Sequence, residues 1–187
     1  MSKSLQFLSI VVLAFTAPAF ATLVVDQSSP YAANAGLSAS PSTVNQQGVT
    51  VGLPGQLMQV DVYIYWPGSG ELFINTGAPW QTDAHDFIAP FGSPSIGWFS
   101  IDTSSAGLTF DVGDRFVIGI QGSSPDLPYL MMGVNASDLY SGGELWHDVW
   151  QPELQAGWDM AFRTYVPEPG TLFLLGLGGL GLLRRHR

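Results

Sequence analysis

The stretch QVDVYIYW at residues 59–66 decides the fold class. Apolar side chains occupy every second position and would share one face of an extended strand: Val60, Val62, Ile64 and Trp66. The intervening positions hold Asp61, Tyr63 and Tyr65. Because successive side chains of a strand point to opposite faces, this alternation predicts a β-strand with one buried face.

The same period of two recurs along the chain, and no convincing helical period accompanies it. It is clear in RFVIGIQ (residues 115–121) and WDMAFRTYV (residues 158–166). Shorter candidate strands lie at residues 23–26, 49–52, 71–75, 96–102, 108–110, 129–134 and 144–147. Turn-forming residues separate them at residues 67–70, 92–94, 111–114, 122–125 and 141–143.

Eight to ten short strands with such turns predict an all-β fold, an antiparallel β-sandwich of jelly-roll type. The polar, Pro/Ala/Ser-rich residues 27–48 are predicted to form a long early loop. The chain has 187 residues and no cysteine, which excludes a disulfide scaffold and a thiolate zinc site.

The net charge of the chain between its two ends limits the classes of partner that it can bind. Between residues 22 and 169 the chain holds two arginines against 15 acidic residues, a formal net charge of −13. A domain of that charge is repelled by phosphate backbones, so a nucleic-acid partner is not expected.

The amino end has the three parts of a secretory signal peptide. Lys3 supplies a positive charge, residues 5–15 form an apolar run, and Ala19 and Ala21 flank Phe20 in the small-x-small pattern. We expect residues 1–21 to be a signal helix that signal peptidase removes after Ala21. The alternative is a buried N-terminal helix.

The carboxyl end has a second address-like segment. Pro167 and Pro169 form a stiff break around Glu168, and residues 171–183 then carry no charge. As a helix, that segment would be about 20 Å long, against about 30 Å of hydrocarbon in a bilayer. With Arg184 and Arg185 at the cytoplasmic side it would make a marginal, transient span. A final apolar strand or core helix is the alternative.

This order of Pro-Glu-Pro, short hydrophobic helix and terminal arginine cluster resembles the PEP-CTERM sorting signal. The resemblance implies export by a Gram-negative bacterium, brief anchoring in the inner membrane, and processing by an exosortase. Delivery to the cell surface or to the exopolysaccharide matrix of a biofilm would follow. It makes Pro167, Glu168 and Pro169 the recognition triplet and Arg184 and Arg185 the stop. The expected organisation is a signal peptide (1–21), a sandwich (22–165) and a sorting signal (166–187).

A second, looser resemblance covers residues 107–166. The segments GLTFDVGDRFVIGIQG, YSGGELW and WDMAFRTYV are similar to the later strands of small jelly-roll domains common on PEP-CTERM proteins. Those domains are similar to lectin and carbohydrate-binding sandwiches. The resemblance supports the fold, and a fold of this kind hosts many functions.

No catalytic motif stands out, and with 15 acidic residues a pair of nearby carboxylates is expected by chance. We therefore expect a non-enzymatic protein. Trp80, Trp146 and Trp150 lie near turns with polar neighbours, where they either contact a glycan or are partly buried. The other tryptophans fall on apolar strand faces and are predicted to lie in the core: Trp66, Trp98 and Trp158.

No cofactor is expected, with one possible exception. Asp83, His85 and Asp86 form a polar cluster whose two carboxylates, Asp83 and Asp86, could bind calcium, although a solvated surface is the preferred interpretation. Residues 111–114 fit a turn better than a calcium loop. Arg163 is expected to pair with an acidic residue on a neighbouring strand.

These observations predict a non-enzymatic, exported surface or matrix protein with one acidic sandwich and a removable tail. Two alternatives remain. One is a carbohydrate-binding module with a defined aromatic site, and the other is a surface hydrolase of glycans.

Overall fold

The computed structural model describes residues 22–32, 35–77, 84–124, 129–148 and 152–168. These residues form fifteen strands and a short 3₁₀ helix at Ser104–Ala106, and no α-helix lies among them. The strands are β1 (Leu23–Ser29), β2 (Ala35–Ala39), β3 (Val44–Thr50), β4 (Gly55–Gln56), β5 (Gln59–Trp66), β6 (Gly68–Thr76), β7 (Phe87–Ser93), β8 (Gly97–Asp102), β9 (Thr109–Phe110), β10 (Arg115–Gly122), β11 (Leu130–Asn135), β12 (Leu145–Asp148), β13 (Pro152–Leu154), β14 (Asp159–Met160) and β15 (Phe162–Pro167).

Two antiparallel sheets pack against each other. The first sheet has the order β1-β15-β5-β11-β14, with β2 also paired to β11 and β8 also paired to β5. The second sheet has the order β13-β12-β3-β10-β6-β7, and β4 pairs with β9 in a small ribbon. This arrangement confirms the all-β sandwich, while its jelly-roll subtype stays a prediction. The expected signal helix and C-terminal hydrophobic helix lie outside the described residues.

The core lies between the two sheets, and the alternation of β5 and β10 fills it. The three side chains of β5 at positions 60, 62 and 64 are fully buried, as are Ile118 and Ile120 of β10. They belong to one apolar cluster that draws on both sheets. Full burial of a side chain of this size contributes roughly 1.5–3 kcal/mol to folding.

The long early loop predicted for residues 27–48 is wrong. This region contains the end of β1, all of β2 and most of β3. Asn45 and Gln47 face the core, where hydrogen bonds satisfy them: the Asn45 amide donates to the Ser38 carbonyl (2.9 Å), and the Gln47 oxygen accepts the Met160 N–H (2.8 Å). The strand is buried through paired amides and not through apolar side chains, so hydrophobic periodicity does not find it.

Two turn predictions had different outcomes. The turn at residues 67–70 is wrong, because only Pro67 separates β5 from β6, and the chain passes there from one sheet to the other. The turn at residues 111–114 is confirmed: the Asp111 carbonyl accepts the Asp114 N–H (3.1 Å), and Gly113 has a φ of 90°. The number of strands also exceeds the eight to ten expected, since several have only two or three residues.

Candidate functional site

An aromatic surface lies on the outer face of the first sheet. Tyr63 of β5 stacks on Tyr31, with ring centroids 3.9 Å apart and ring planes 12° apart. Tyr63 also makes a T-shaped contact with Trp98 of the adjacent strand β8, with ring centroids 5.5 Å apart. The guanidinium of Arg163 lies over the Trp98 ring, 4.0 Å from its centroid. Three rings from three separate segments, together with the Arg163 guanidinium from a fourth, thus form one layer on this face.

A shift in strand register brings a further ring to the same face. Met132 of β11 lies opposite Ile64, but its neighbour Met131 lies opposite Trp66, so Tyr65 is an extra residue in β5. Such a bulge changes the direction of the side chains that follow it. Trp66 consequently points outward and is 47% exposed, which makes its predicted place in the core wrong.

These rings enclose a cleft, which we call the aromatic cleft. It has a volume of about 300 Å³ and is lined by Tyr31, Tyr63, Tyr65, Trp66 and Ile96. The Ile96 side chain at its rim is 57% exposed. The cleft is therefore an open, largely aromatic surface on an acidic domain.

Two glycines lie directly beneath the tyrosine rings of the cleft. Gly36 of β2 and Gly133 of β11 lie opposite each other in register. A Cβ atom at Gly36 would lie 2.5 Å from the Tyr65 ring, and one at Gly133 would lie 2.7 Å from the Tyr63 ring. Since real Cβ atoms do not come so close to a ring, any larger residue at either position would displace the tyrosine above it.

Asn135 positions Tyr31. Its side-chain oxygen accepts the Ala32 N–H (2.8 Å), and its amide donates to the Pro30 carbonyl (2.6 Å) and to the Ser29 hydroxyl (3.1 Å). These bonds hold the residues on both sides of Tyr31 against the end of β11. The buried Asn135 side chain thus fixes the position of Tyr31, one of the residues that line the cleft described above.

A polar group borders the rings. Asp61 is buried on the outer face and accepts hydrogen bonds from the Tyr165 hydroxyl (2.7 Å) and the Gln59 amide (2.8 Å). The Arg163 guanidinium approaches Asp61 at 4.0 Å, which confirms the predicted partner on a neighbouring strand. Burial, and then the hydrogen bond to Asp61, raise the pKa of the Tyr165 hydroxyl.

The tryptophans predicted from sequence are placed as follows. Trp146 of β12 is half-buried on the outer face of the second sheet, opposite Gln46 and Leu154, so it belongs to the other side of the sandwich. Trp80 and Trp150 lie outside the described residues. Trp158 packs against the core cluster, as predicted. The prediction for Trp98 is wrong, because this ring lies on the outer face beneath Arg163.

Of the two residues in the calcium prediction, the structure describes only Asp86. Asp86 accepts hydrogen bonds from the Thr76 N–H (2.7 Å) and the Thr76 hydroxyl (2.8 Å), and these bonds lower its pKa. Asp83 lies outside the described residues. Within the described ranges, no three His, Asp or Glu side chains come together in a way that could hold a metal ion. Calcium binding by this pair stays a prediction.

A second cleft, of about 220 Å³, contains carboxylates. Asp138, Glu144 and Asp159 are among its lining residues. Asp159 is buried, and one of its oxygens accepts the N–H groups of Leu139 and Tyr140, each at 2.8 Å. Burial raises the pKa of the Asp159 carboxyl despite those two bonds. Two backbone amides therefore already occupy this oxygen within the fold.

The predicted sorting triplet begins inside the sandwich. Strand β15 ends at Pro167, which lies opposite Leu23 of β1, and Val166 before it is buried. The Glu168 N–H donates to the Thr22 carbonyl (2.8 Å). The last strand therefore extends two residues past the boundary expected after Tyr165.

The remaining residues of the predicted signal-peptidase site and sorting signal lie outside the described part of the chain. They are Ala19, Ala21, Pro169, Arg184 and Arg185. Among the residues that the structure does describe, no helix is long and apolar enough to cross a membrane.

Comparison with known proteins identifies the carboxyl end. The PEP-CTERM protein-sorting motif matches residues 166–187, the same segment that carried the resemblance in the sequence. No curated protein matches the chain. The motif implies processing by an exosortase, export, and a surface or extracellular location. The chain is thus an exported protein that carries a PEP-CTERM protein-sorting motif at its carboxyl end.

Proposed function

We propose that this is a non-enzymatic protein of the cell surface or of the exopolysaccharide matrix of a Gram-negative bacterium. In this proposal the sandwich is the cargo, and the C-terminal segment anchors it transiently in the inner membrane until an exosortase acts. One observation carries the proposal: the sorting motif, residues 166–187, begins within the last two residues of β15, which ends at Pro167. The folded domain and its sorting signal are directly joined.

Both ends of the domain lie at one corner. If signal peptidase cleaves after Ala21, the new amino end is Thr22, whose carbonyl accepts the Glu168 N–H. Before processing, the signal peptide and the tail would both leave the sandwich from this corner. Such an arrangement suits a domain that is held close to a membrane by one end and then released intact.

The intact mass of the protein recovered from its host tests this. We expect an amino end at Thr22 and a carboxyl end near the Pro167-Glu168-Pro169 triplet, with residues 171–187 removed. In a host without the exosortase, the tail should remain. Surface material that still ends in Arg187 in the normal host would contradict the proposal.

The proposal that the protein is not an enzyme is tested in a separate experiment. The second cleft, with Glu144 and Asp159, is the place where a glycan hydrolase could act by a pair of carboxylates. We expect the exported protein to release no reducing sugar from polysaccharides. Release that is abolished by Glu144→Gln, with unchanged melting temperature, would favour the hydrolase instead.

A carbohydrate-binding module is the second candidate function, and the aromatic cleft is the observation that favours it. The residues concerned differ from Trp80, Trp146 and Trp150, which the sequence suggested. Matrix attachment through a glycan is compatible with display at the surface.

A further inference from the structure

We propose that the aromatic cleft binds a neutral polysaccharide chain. The inference names the class of ligand that the displayed sandwich binds. It rests on the proposed function in one respect, which is the surface or matrix location where the protein meets that ligand. Three observations carry it: the way the cleft is built, the chemistry of its walls, and the charge of the domain.

The cleft depends on several independent structural features. The bulge at Tyr65 turns Trp66 outward, the opposed glycines leave room for the tyrosine rings, and Asn135 fixes the Tyr31 segment. The first feature keeps at the surface a ring that simple alternation would place in the core, and the other two hold the tyrosine rings in position. If the cleft resulted only from the chance exposure of one side chain, the bulge, the opposed glycines and the Asn135 hydrogen bonds would not all be needed to form it.

Its walls match the surface of a sugar. A pyranose ring presents a flat C–H face that packs on an aromatic ring, and hydroxyl groups around its edge that require hydrogen bonds. The volume of about 300 Å³ lies at the lower end of small-molecule sites, which span about 300–1,000 Å³. Outside the cleft lining, the Arg163 guanidinium over the Trp98 ring belongs to a side chain that is 38% exposed, and its donors could meet the hydroxyl oxygens of a longer chain. The open rim at Ile96 lets a longer chain continue across the sheet.

The charge of the domain selects among polymers. A formal net charge of −13 between residues 22 and 169 repels uronate-rich and sulfated polysaccharides. It also opposes a second copy of this chain as the occupant, since two such domains would have to approach each other. A neutral glycan carries no charge and meets no such barrier.

Binding of soluble polysaccharides to the exported protein, purified in its mature form, tests the proposal. The probes are hydroxyethylcellulose and galactomannan as neutral polymers and alginate as an acidic one, measured by affinity electrophoresis and by tryptophan fluorescence. We expect at least one neutral polymer to bind and alginate not to bind. No binding of either neutral polymer, or salt-sensitive binding of alginate alone, would overturn the proposal and leave the sorting function unaffected.

Variants locate the site. Trp66→Ala should weaken binding about fivefold, since one aromatic contact contributes about 1 kcal/mol, and Trp66→Phe should weaken it less. Ile88→Ala is the matched control, because Ile88 is 49% exposed on the second sheet. Trp146→Ala tests the other face of the sandwich. Melting temperatures should match that of the unaltered protein for Trp66→Ala and Ile88→Ala.

Two outcomes would place the site or the occupant elsewhere. Binding that survives Trp66→Ala but is lost in Trp146→Ala would overturn the assignment to the aromatic cleft. Concentration-dependent dimerisation that Trp66→Ala abolishes, measured by sedimentation without any polysaccharide, would identify a second copy as the occupant and overturn the proposal as well.

Discussion

At the scale of single residues, Asp159 shows how a buried charge affects stability. Its carboxyl has a pKa above the ordinary value because burial disfavours the charged form. The native state therefore holds this proton more tightly than the unfolded chain, whose Asp pKa is about 3.9. By linkage, this group's contribution to stability falls as the pH rises from about 4 through the raised native value.

We expect Asp159→Asn to remove that part of the pH dependence, because the amide oxygen can still accept the Leu139 and Tyr140 N–H groups without carrying a charge. Stability at pH 7 should stay equal or rise. Asp159→Ala leaves both donors unpaired and should cost about 2 kcal/mol. Urea unfolding of the three proteins between about pH 4 and pH 8 measures this. A large loss of stability in Asp159→Asn would contradict the argument.

Gly119 illustrates a position where the absence of a side chain matters. It lies in the middle of β10 opposite Phe73, and a Cβ atom there would overlap the Phe73 ring. Phe73 is buried and stacks on His85, so its room to move is small.

Gly119→Ala should therefore destabilise the sandwich by about 1–3 kcal/mol, the usual cost of overpacking. Gly92→Ala is the matched control, since Gly92 is also a strand glycine but has only the Ser69 hydroxyl within 4 Å, at 3.6 Å. Its effect should stay within about 0.5 kcal/mol. Equal effects of the two substitutions in thermal or urea unfolding would show that Phe73 yields freely.

At the scale of strands, the pairing of β1 with β15 bears on processing. Pro167 of the sorting triplet lies opposite Leu23, and Glu168 is hydrogen-bonded to Thr22. An exosortase needs the triplet in an accessible form, so the last pairs of this ladder must open first.

Inserting six Gly/Ser residues between Val166 and Pro167 should accelerate removal of the tail. The insertion separates the triplet from β1, and the cost of opening one or two hydrogen bonds corresponds to a gain of up to about tenfold in rate. Pulse-chase labelling in the host measures the rate. The same insertion after Gly170 is the control, since it leaves Pro167 beside Leu23. An unchanged or slower rate for the first insertion would show that the strand end is no barrier.

The strands also show what sequence can reveal. The buried positions of β5 and β10 could be predicted because burial in these strands follows the alternation of apolar residues. Strand β3 could not, since Asn45 and Gln47 are buried through hydrogen bonds to partners up to 113 residues away. The outward direction of Trp66 depends on its register with β11, which no local pattern records. The sorting motif was readable because it is a linear signal that needs no tertiary partner.

At the scale of the whole molecule, charge governs the response to salt. The domain has 15 acidic residues and two arginines between residues 22 and 169, so its folded state is under self-repulsion. Salt screens such repulsion between exposed charges. Raising NaCl from about 10 mM to about 150 mM shortens the screening length from about 30 Å to about 8 Å.

We expect that change to raise the melting temperature of the exported protein by about 3 °C, equivalent to about 1 kcal/mol for a domain of this size. A variant with three exposed acids neutralised, Glu71→Gln, Asp138→Asn and Glu153→Gln, should respond less to salt. CaCl₂ and MgCl₂ at equal ionic strength separate screening from binding, and calcium should add at most a modest further rise. A large rise specific to calcium that Asp86→Asn abolishes would instead show that Asp86 belongs to a metal site. No response to any salt would mean that the acidic residues lie too far apart to weaken the fold.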